Sequence, residues 1–409
     1  MVKDLKNLKI ALVHDYLLRY GGAERVLAEL HTICPDAPIY TLIASSELTK
    51  KYFPGADIHT SFMDRLPAIL KKHYKFFAPL LTSAAESFDL SQFDLVISSS
   101  SAFVKGVITR PDTMHVSYCH TPTRFLWDWT HEYLSSTSKR RRGVARLLLH
   151  FLRIWDFEAA QRPDFMVANS LNVQKRIAKF YRRSARVIYP PVSIKSEIRN
   201  PKSLPRRQAG ETNSNYQNSK NSLADIRVSN SGQELCTEDS YFLIVSYLQK
   251  YKSIDVAVSA FNKLGYPLLI IGDGPERKHL EKMALPNIKF LGWQEDMVVG
   301  SYLQGCKAFV FPTDEDFGIA PVEAMLAGKP VVALRRGGAL EYVQEGLNGE
   351  FFDDLHPAVL ADGVRRMVQN YSRYDPALIK NSAARFSPER FRSEMREYLL
   401  GLMEQKGVV

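Results

Sequence analysis

The sequence predicts a doubly wound α/β protein with two domains, each built around a parallel sheet. Short apolar runs recur along the chain and alternate with segments of helical periodicity, as expected for strands buried between two layers of helices. At 409 residues the chain is too long for one ordinary core. Its hydrophobic content of 45% and charged content of 24% are those of a soluble globular protein.

The stretch from 309 to 345 is the most informative βαβ unit. It opens with the apolar strand Phe309–Phe311, which ends at Pro312 because proline cannot donate a hydrogen bond to a neighbouring strand. A polar loop follows, and then a helix predicted from Ala320 to Ala327, which Gly328 stops before the next strand. In parallel sheets of this kind, ligands bind at the carboxyl ends of the strands.

Two carboxylates mark this unit, Glu315 and Glu323, with seven residues between them. The spacing places Glu315 in the loop and Glu323 in the first turn of the helix, so both are expected to face one crevice. Gly318 lets the backbone approach a ligand closely, and the helix start suits an anion. Such a set can hold sugar or ribose hydroxyls together with phosphate. The alternative is a solvated Glu315 and an ordinary first-turn acid at Glu323; the surrounding motif favours the site.

With its neighbours DEDFGIAPVEAMLAGKPVVA, this stretch resembles the E-x7-E signature of retaining glycosyltransferases of family 4, also called glycosyl transferase group 1. The similarity covers nearly the whole chain outside one insertion and is greatest to bacterial mannosyltransferase-like members. It implies the GT-B fold, in which two Rossmann-like domains face each other across a cleft. It also implies that Glu315 lies by the donor sugar, that Glu323 holds the ribose, and that the backbone of Asp316, Phe317 and Gly318 faces the sugar.

A glycine pair near the N-terminus is the next candidate. Strand Lys9–Val13 is predicted first, then a loop from His14 that ends at Gly21 and Gly22, then a helix. Glycines between a strand and a helix suit phosphate approach, although a tight turn explains them equally well. The full G-x-G-x-x-G fingerprint is missing, which argues against a dehydrogenase. The family resemblance assigns Gly21 and Gly22 to the phosphates of the donor.

The block YCHTPTRFLWD contains the main histidine candidate. A strand is predicted to end at His120, because Pro122 blocks its continuation. A lone histidine is usually structural, but one at the carboxyl end of a strand is expected in the cleft. The block resembles one in the same family, which implies that His120 lies where acceptor and donor sugar meet and that Arg124 supports it.

Neither a metal nor a resident cofactor is expected. Four scattered cysteines without CxxC spacing indicate neither a zinc site nor a disulfide framework. Asp314 to Asp316 fits D-x-D by letter, but it is the loop of the main motif. The resemblance implies a nucleotide diphosphate sugar as donor, with GDP-mannose as the first choice.

The net charge of +10 and a pI near 9.2 favour anionic partners. No nucleic-acid-binding motif is present. A helix predicted over Leu66–Leu81, with Lys71, Lys72 and Lys75 off its apolar face, either lies on anionic membrane or covers its own core. The run Lys139–Arg142 is either a solvated loop or a lipid-phosphate contact. No apolar run reaches the roughly 18 residues needed to span a bilayer, so a cytoplasmic protein is expected, peripheral on the inner face of the cytoplasmic membrane.

Composition and motifs divide the chain into four parts. Residues 1–194 form the predicted acceptor domain, and residues 240–385 the predicted donor domain. Between them, residues 195–239 are rich in Asn, Ser and Gln, so a disordered interdomain loop is predicted there. The resemblance implies that the helix in residues 386–409 crosses back to the first domain.

The resemblance implies transfer of a hexose, most simply mannose, to a lipid-linked or saccharide acceptor, with retention, in cell-surface polysaccharide biosynthesis. An epimerase or phosphorylase on the same fold is one alternative, and a non-catalytic nucleotide-sugar-binding partner is another. Similar enzymes carry two arginines near the diphosphate, where this chain has Tyr247 and Ser253. Lys252 remains there as the expected donor contact, but a lysine cannot bind bidentately as an arginine does.

Overall fold

A computed structural model describes residues 5–67, 77–194 and 241–405. The chain divides into two compact units, one of residues 1–191 with 388–409 and the other of residues 192–387. The predicted disordered loop at 195–239 lies outside the described residues, as do Lys71, Lys72 and Lys75 of the predicted basic helix.

The first unit contains a parallel sheet of seven described strands in the order β3-β2-β1-β4-β5-β6-β7. The strands are β1 (Ile10–Leu17), β2 (Ile39–Ala44), β3 (Ile58–Thr60), β4 (Leu95–Ser100), β5 (Met114–Cys119), β6 (Phe165–Ala168) and β7 (Arg186–Val187). The order reverses between β1 and β4, whose carboxyl ends therefore form the topological switch point of this sheet.

Helices cover both faces of that sheet. They are α1 (Gly22–Ile33), α2 (Ser46–Tyr52), α3 (Ala78–Glu86), α4 (Thr130–Ser136), α5 (Arg142–Ala159) and α6 (Leu171–Phe180). On one face, Leu27 of α1 packs in a core cluster with Leu12 of β1. On the other face, Leu81 of α3 and Leu149 of α5 pack in a cluster with Val13. Alternate residues of β1 thus face opposite helix layers, as the strand repeat of two requires.

The second unit repeats the same plan with six described strands in the order β10-β9-β8-β11-β12-β13, all parallel. The strands are β8 (Phe242–Val245), β9 (Leu268–Ile271), β10 (Ile288–Gly292), β11 (Ala308–Phe311), β12 (Val331–Leu334) and β13 (Gly349–Phe352). The helices are α7 (Ile254–Leu264), α8 (Arg277–Met283), α9 (Asp296–Gly305), α10 (Ile319–Leu326), α11 (Pro357–Gln369) and α12 (Pro376–Ala383). Here the switch point lies between β8 and β11. The predicted α/β class with two parallel sheets is therefore confirmed.

The last helix, α13 (Pro388–Gln405), belongs to the first unit although it follows the second in sequence. Its Phe391, Met395 and Leu399 are fully buried in the cluster that contains Leu12 and Leu27. These three residues recur at intervals of four, so one face of α13 supplies part of the first unit's core.

Two predicted element boundaries in the first unit are wrong. β1 does not end at Val13 but continues through His14 and Asp15, because both side chains are buried and hydrogen-bonded to neighbouring backbone or side chains. The predicted helix Leu66–Leu81 is also wrong at its described start. A 3-10 turn ends at Arg65, Leu66 is not helical, and α3 begins only at Ala78. Leu66 packs against the core of the unit, so this end of the segment covers its own domain.

Candidate active site

Both sheets place polar side chains at their switch points. In the first unit these are the ends of β1 and β4, and in the second unit the ends of β8 and β11. Ligands of doubly wound sheets bind at this position, because the loops on either side diverge and leave the carboxyl ends of the strands open.

In the first unit a chain of four polar side chains runs from α1 to His120. The Ser99 Oγ atom lies 3.1 Å from Nδ1 of His14 and 2.8 Å from Nε2 of His120. On the other side of the His14 ring, Nε2 lies 3.6 Å from Oε1 of Glu24. The second oxygen of Glu24 accepts a hydrogen bond from the backbone N–H of Gly21 at 2.8 Å. We call Glu24, His14, Ser99 and His120 the histidine relay.

The Glu24 carboxylate determines the direction of these hydrogen bonds. A negative charge beside Nε2 of His14 favours the tautomer with its proton on that nitrogen, in which Nδ1 is a hydrogen-bond acceptor. Ser99 then donates its hydroxyl proton to His14 and accepts from Nε2–H of His120. The remaining nitrogen of His120, Nδ1, is left as a hydrogen-bond acceptor that can orient a hydroxyl group.

His120 is held as a neutral imidazole. Burial, followed by the neighbouring His14, lowers the pKa of His120 from its ordinary value to about 3. A ring with so low a pKa stays uncharged at neutral pH. His120 is therefore suited to accept a hydrogen bond and position its partner, and it is unsuited to carry a proton between reacting groups.

Asp15 fixes the loop that follows β4. Its carboxylate accepts hydrogen bonds from four successive backbone N–H groups, at 2.5 to 3.0 Å, and these belong to residues 101–104. Charge-assisted bonds to backbone amides are among the stronger hydrogen bonds in proteins. Sequence reasoning missed Asp15, because it lies inside what was predicted to be a loop and its partners are distant in the chain.

A second buried carboxylate anchors the loop after His120. Asp156 of α5 accepts hydrogen bonds from Lys105 Nζ at 2.6 Å and from Thr123 Oγ1 at 2.7 Å on one oxygen. Its other oxygen accepts from Trp127 Nε1 at 2.7 Å and from the Tyr181 hydroxyl at 2.9 Å. Thr123 and Trp127 both belong to the block that follows His120, so Asp156 holds that block in one conformation.

The arginine predicted to support His120 stacks on a tryptophan ring. The Arg124 guanidinium lies over the Trp129 ring, 4.2 Å from its centroid. The hydroxyl of Thr121, next to His120, instead accepts a hydrogen bond from Arg176 at 2.8 Å. Arg176 lies on α6, 55 residues away in sequence, so nothing local in the sequence indicates this contact. The role of Arg124 stays a prediction.

The glycine pair lies where α1 begins. Gly21 is the N-cap residue of α1, Gly22 is its first residue, and Gly22 is exposed. The N–H of Gly21 is already bound to Glu24. Of the pair, Gly22 therefore has the more accessible backbone, and the phosphate role of both residues stays a prediction.

In the second unit Lys252 and Glu315 form an ion pair at the switch point. Lys252 Nζ donates to Oε1 of Glu315, and the two side chains are 13% and 27% exposed. The backbone oxygen of Lys252 accepts from Thr313 Oγ1 at 2.9 Å, while the backbone oxygen of Glu315 accepts from Gly338 N–H at 2.8 Å. The loops after β8, β11 and β12 are thus tied together around Glu315.

Gly318 is the N-cap of α10, and its conformation and surroundings favour a glycine. Its φ is +85°, and a Cβ there would lie 2.7 Å from the Phe311 ring and 2.9 Å from the Tyr342 hydroxyl oxygen. The neighbouring Phe317 packs its ring edge-on against Tyr342 and Phe386, at 5.5 and 5.3 Å between centroids. Because the Phe317 side chain is buried, only its backbone can face a ligand. Asp316, which precedes Phe317 in the chain, is partly exposed.

Glu323 is placed differently from the prediction. α10 begins at Ile319, so Glu323 is its fifth residue and lies in the second turn, not the first. The helix start was predicted one residue late, because Gly318 acts as the N-cap instead of as part of the loop. Glu323 is only 8% exposed. A carboxylate this buried is more unusual than the ordinary first-turn acid that the alternative interpretation assigns to Glu323.

Tyr342 is a site-adjacent residue that sequence reasoning missed. Its hydroxyl is buried and has no hydrogen-bond partner among the described residues. Burial first, and then the charges of Glu315 and Glu341, raise its pKa well above the usual tyrosine value. Nothing in the sequence distinguishes it from a core tyrosine, because its proximity to Gly318 arises only in the folded unit.

We expect Gly318→Ala to lower the free energy of unfolding and to weaken donor binding. An alanine at this φ costs roughly 1–3 kcal/mol, and its methyl group also collides with Phe311 and Tyr342. Gly346→Ala is the matched control, since Gly346 has φ of +77° but no atom within 4 Å of its Cβ position. Urea denaturation should show the larger loss for Gly318→Ala, and equal losses in both variants would contradict the predicted collision.

The two positions that lack the expected arginines lie in the loop before α7. Tyr247 is exposed, and Ser253 is the N-cap of α7 with φ of +52°, in the left-handed region. The loop is packed tightly on the turn after β9, because a Cβ on Gly272 would lie 1.8 Å from the Ser246 oxygen. Lys252 is thus held in a constrained loop, which suits a residue that must position a single charge.

Comparison with known proteins identifies the class. A family model described as Glycosyltransferase Family 4 matches residues 20–196, and one described as Glycosyl transferases group 1 matches residues 229–385. Together they cover most of the chain, one in each unit. The chain therefore belongs to the glycosyltransferases. It belongs to family 4 and is similar to mannosyltransferases.

Individual relatives agree with this assignment. Alpha-1,3/1,6-mannosyltransferase ALG2 of Dictyostelium discoideum is 23% identical over 396 residues, which is 85% of this chain and 87% of that protein. The uncharacterized glycosyltransferase MJ1178 of Methanocaldococcus jannaschii is 30% identical over 136 residues, 32% of this chain. The match spans only 39% of the length of MJ1178.

A solved structure shares the fold. Anabaena Alr3699/HepE in complex with UDP-glucose superposes with a TM-score of 0.67 at 19% identity, covering 96% of this chain and 100% of that one. The predicted GT-B fold is confirmed by this match.

Proposed function

We propose that the protein transfers a hexose, mannose as the first candidate, from a nucleotide diphosphate sugar to a lipid-linked or saccharide acceptor with retention of anomeric configuration. The observation that carries this proposal is the Lys252–Glu315 pair at the switch point of the second sheet, in a chain that belongs to the glycosyltransferases. Mannose as the transferred sugar is supported by the similarity to the mannosyltransferase ALG2. A nucleotide diphosphate sugar as the donor is supported by the UDP-glucose bound to Alr3699/HepE. A role in cell-surface polysaccharide biosynthesis is part of the same proposal.

Three side chains of the second unit and the start of α10 have distinct roles in this proposal. Glu315 accepts hydrogen bonds from the donor sugar, and Glu323 accepts them from the ribose. Lys252 has three N–H donors, so it can contact the diphosphate while it still holds Glu315. The amides at the start of α10 add a positive dipole end that favours the diphosphate oxygens.

The proposed transfer depends more on the positioning of the two substrates than on a nucleophilic side chain of the protein. The bond from the sugar's anomeric carbon to the diphosphate breaks, and a bond to the acceptor oxygen forms on the same face. The acceptor proton passes to an oxygen of the leaving diphosphate. The protein's contribution is to align the two substrates and to stabilise the charge that grows on the leaving group. His120, with a neutral ring that accepts a hydrogen bond, is suited to orient a sugar hydroxyl.

A panel of donors tests the proposal. Thermal shift should show stabilisation by one nucleotide diphosphate sugar, with GDP-mannose and UDP-glucose compared directly, and a product assay should show an α-linked sugar on the acceptor when the donor is α-linked. Recovery of epimerised donor alone would establish the epimerase alternative. Donor binding without any turnover on lipid-linked or soluble acceptors would establish the non-catalytic alternative.

We expect substitutions of the two glutamates to separate rate from affinity. Glu315→Gln should lower kcat roughly 100-fold, because the lost charge acts on the transferring sugar. Glu323→Ala should mainly raise KM for the donor, because a ribose contact is made equally in the ground and transition states. Glu281→Gln, an exposed position on α8 of the same unit, is the control. Unchanged kinetics in both variants would refute the site.

A further inference from the structure

Helix α5 of the first unit has an apolar face that the described residues leave in contact with solvent. Val144 is 73% exposed, Leu147 59%, Phe151 60% and Ile154 50%. These residues recur at intervals of three or four, so they form one stripe along the helix. We call Val144, Leu147, Leu148, Phe151 and Ile154 the α5 stripe.

The α5 stripe is separate from the face by which α5 joins its own core. Leu149, Leu152 and Asp156 are buried on that core face. A surface helix needs only one apolar face to pack on its domain, so the α5 stripe is not needed to pack α5 against the core. Contiguous exposed apolar side chains of this size mark a surface that binds something.

Positive charge surrounds the stripe. Lys139, Arg140 and Arg141 are exposed in the turn that leads into α5, and Arg146 is exposed within the helix. The exposed acid of this helix, Glu158, lies at its far end. The surface that binds here must therefore offer both an apolar layer and negative charge.

We propose that α5 docks this protein on an anionic membrane surface. The stripe enters the boundary between headgroups and acyl chains, while the basic turn and Arg146 contact lipid phosphates. The helix lies in the plane of the interface. No helix among the described residues is both long and apolar enough to cross a bilayer.

A second copy of the chain is a poorer occupant of this face. Two stripes packed against each other about a twofold axis would bring like charges together, because each copy carries Lys139, Arg140, Arg141 and Arg146 beside its stripe. The net charge of +10 adds to that repulsion. An anionic lipid surface satisfies the same apolar face and neutralises those charges.

Docking at α5 also has a consequence for the candidate site. The core face of α5 carries Asp156, which holds Thr123 and Trp127 of the block after His120. A docked α5 would therefore anchor that block close to the lipid surface. An acceptor attached to a lipid would have to be presented there. Vesicle binding itself needs no turnover, so it can be tested whether or not the proposed reaction is correct.

Flotation with vesicles of phosphatidylcholine, with and without phosphatidylglycerol, tests the proposal. The wild-type protein should float with the anionic vesicles at low salt and lose most of that binding at high salt, because exposed charges are screened. Leu147→Ser/Phe151→Ser should reduce the vesicle-bound fraction at least about 10-fold, since it removes buried apolar area. Arg140→Glu/Arg141→Glu should abolish binding to the anionic vesicles.

Matched controls lie in the second unit. Leu285→Ser/Leu378→Ser changes two leucines of similar exposure, 51% and 52%, and should float as the wild type does. Lys263→Glu/Lys282→Glu makes the same charge change at exposed positions elsewhere and should have only a small effect. Circular dichroism should show all four variants folded.

Three results would overturn the proposal. One is the absence of flotation with anionic vesicles at low salt, and another is equal flotation of the Leu147→Ser/Phe151→Ser variant and the wild type. The third is concentration-dependent self-association in sedimentation velocity that the same variant abolishes, which would assign the α5 stripe to a second copy of the chain.

Discussion

His120→Ala is expected to lower kcat roughly 100- to 1000-fold, the usual effect of removing a hydrogen-bonding group that acts on the reacting centre. The affinity for the nucleotide should change no more than a few-fold, because Lys252 and Glu323, the proposed nucleotide contacts, belong to the other unit. Steady-state kinetics and nucleotide titration by thermal shift measure the two quantities. An equal loss of nucleotide affinity and fold stability would show that His120 is only structural.

The histidine relay offers a graded control for this prediction. Glu24→Gln keeps the size of the side chain but removes the charge beside His14, so the protons in the relay are no longer biased toward one tautomer. We expect a smaller fall in kcat than for His120→Ala, with little change in donor KM. Nitrogen-15 NMR of the histidine rings should show the altered tautomer of His120. A normal tautomer with lowered activity would mean that Glu24 acts elsewhere.

The pH dependence of stability gives an independent readout of His120. Its ordinary pKa is 6.5, and in the folded protein burial and His14 lower the pKa to about 3. Between those values the unfolded chain binds a proton that the folded protein does not. The contribution of the neutral His120 ring to the free energy of unfolding is therefore complete above pH 6.5. It is lost as pH falls toward 3, by at most about 1.4 kcal/mol per pH unit. His120→Ala should reduce this acid slope, and transfer by the wild type should show no titration of His120 between pH 5 and 8.

Asp156→Asn is expected to lower the free energy of unfolding by about 3–5 kcal/mol, the cost of breaking a buried ion pair from one side. The substitution removes the charge that compensates buried Lys105 and puts an amide nitrogen among four hydrogen-bond donors. Urea denaturation measures the loss. Transfer activity should fall as well at temperatures where the variant is folded, because Thr123 and Trp127 lose their anchor.

A double-mutant cycle separates the ion pair from the rest of this network. Lys105→Met alone should also be strongly destabilising, and the Lys105→Met/Asp156→Asn variant should be less unstable than the sum of the two single variants. Arg110→Met, which disrupts an exposed pair with Asp112, is the control and should cost less than about 1 kcal/mol. A loss for Asp156→Asn as small as that of the control would contradict the role given to the buried network.

The sequence by itself determined the fold class, the family and the stretch that holds the main motif. Strands buried on both faces are continuous apolar runs, so β9, β11 and β12 are visible without a structure. The glycine that ends α10 has an equally local cause, since Gly328 has φ of +75°. The sequence also identifies Glu315 and His120 as candidate site residues, because each follows a strand whose end is evident from the sequence.

A strand that contains polar residues cannot be recognised from an apolar run. His14 and Asp15 interrupt the apolar pattern of β1, so the sequence predicts a loop there. In the folded unit they are paired across the sheet with residues of the β4 region, 85 or more positions away. The start of α10 was misplaced for a related reason, because a glycine with positive φ can cap a helix as well as belong to a loop. The sequence therefore predicts Glu323 in the first turn of the helix, whereas the structure places it in the second.

Only the tertiary structure decided which polar groups meet. Neighbouring strands of a parallel sheet are joined through crossovers, and at a switch point they are distant in sequence, so β1 meets β4 and β8 meets β11 only after folding. The histidine relay, the ties of Lys252 to Glu315 and Thr313, and the four donors around Asp156 all depend on such meetings. The α5 stripe likewise appeared only with the fold, because an amphipathic pattern shows that a helix has apolar faces but cannot show which of them the core leaves uncovered.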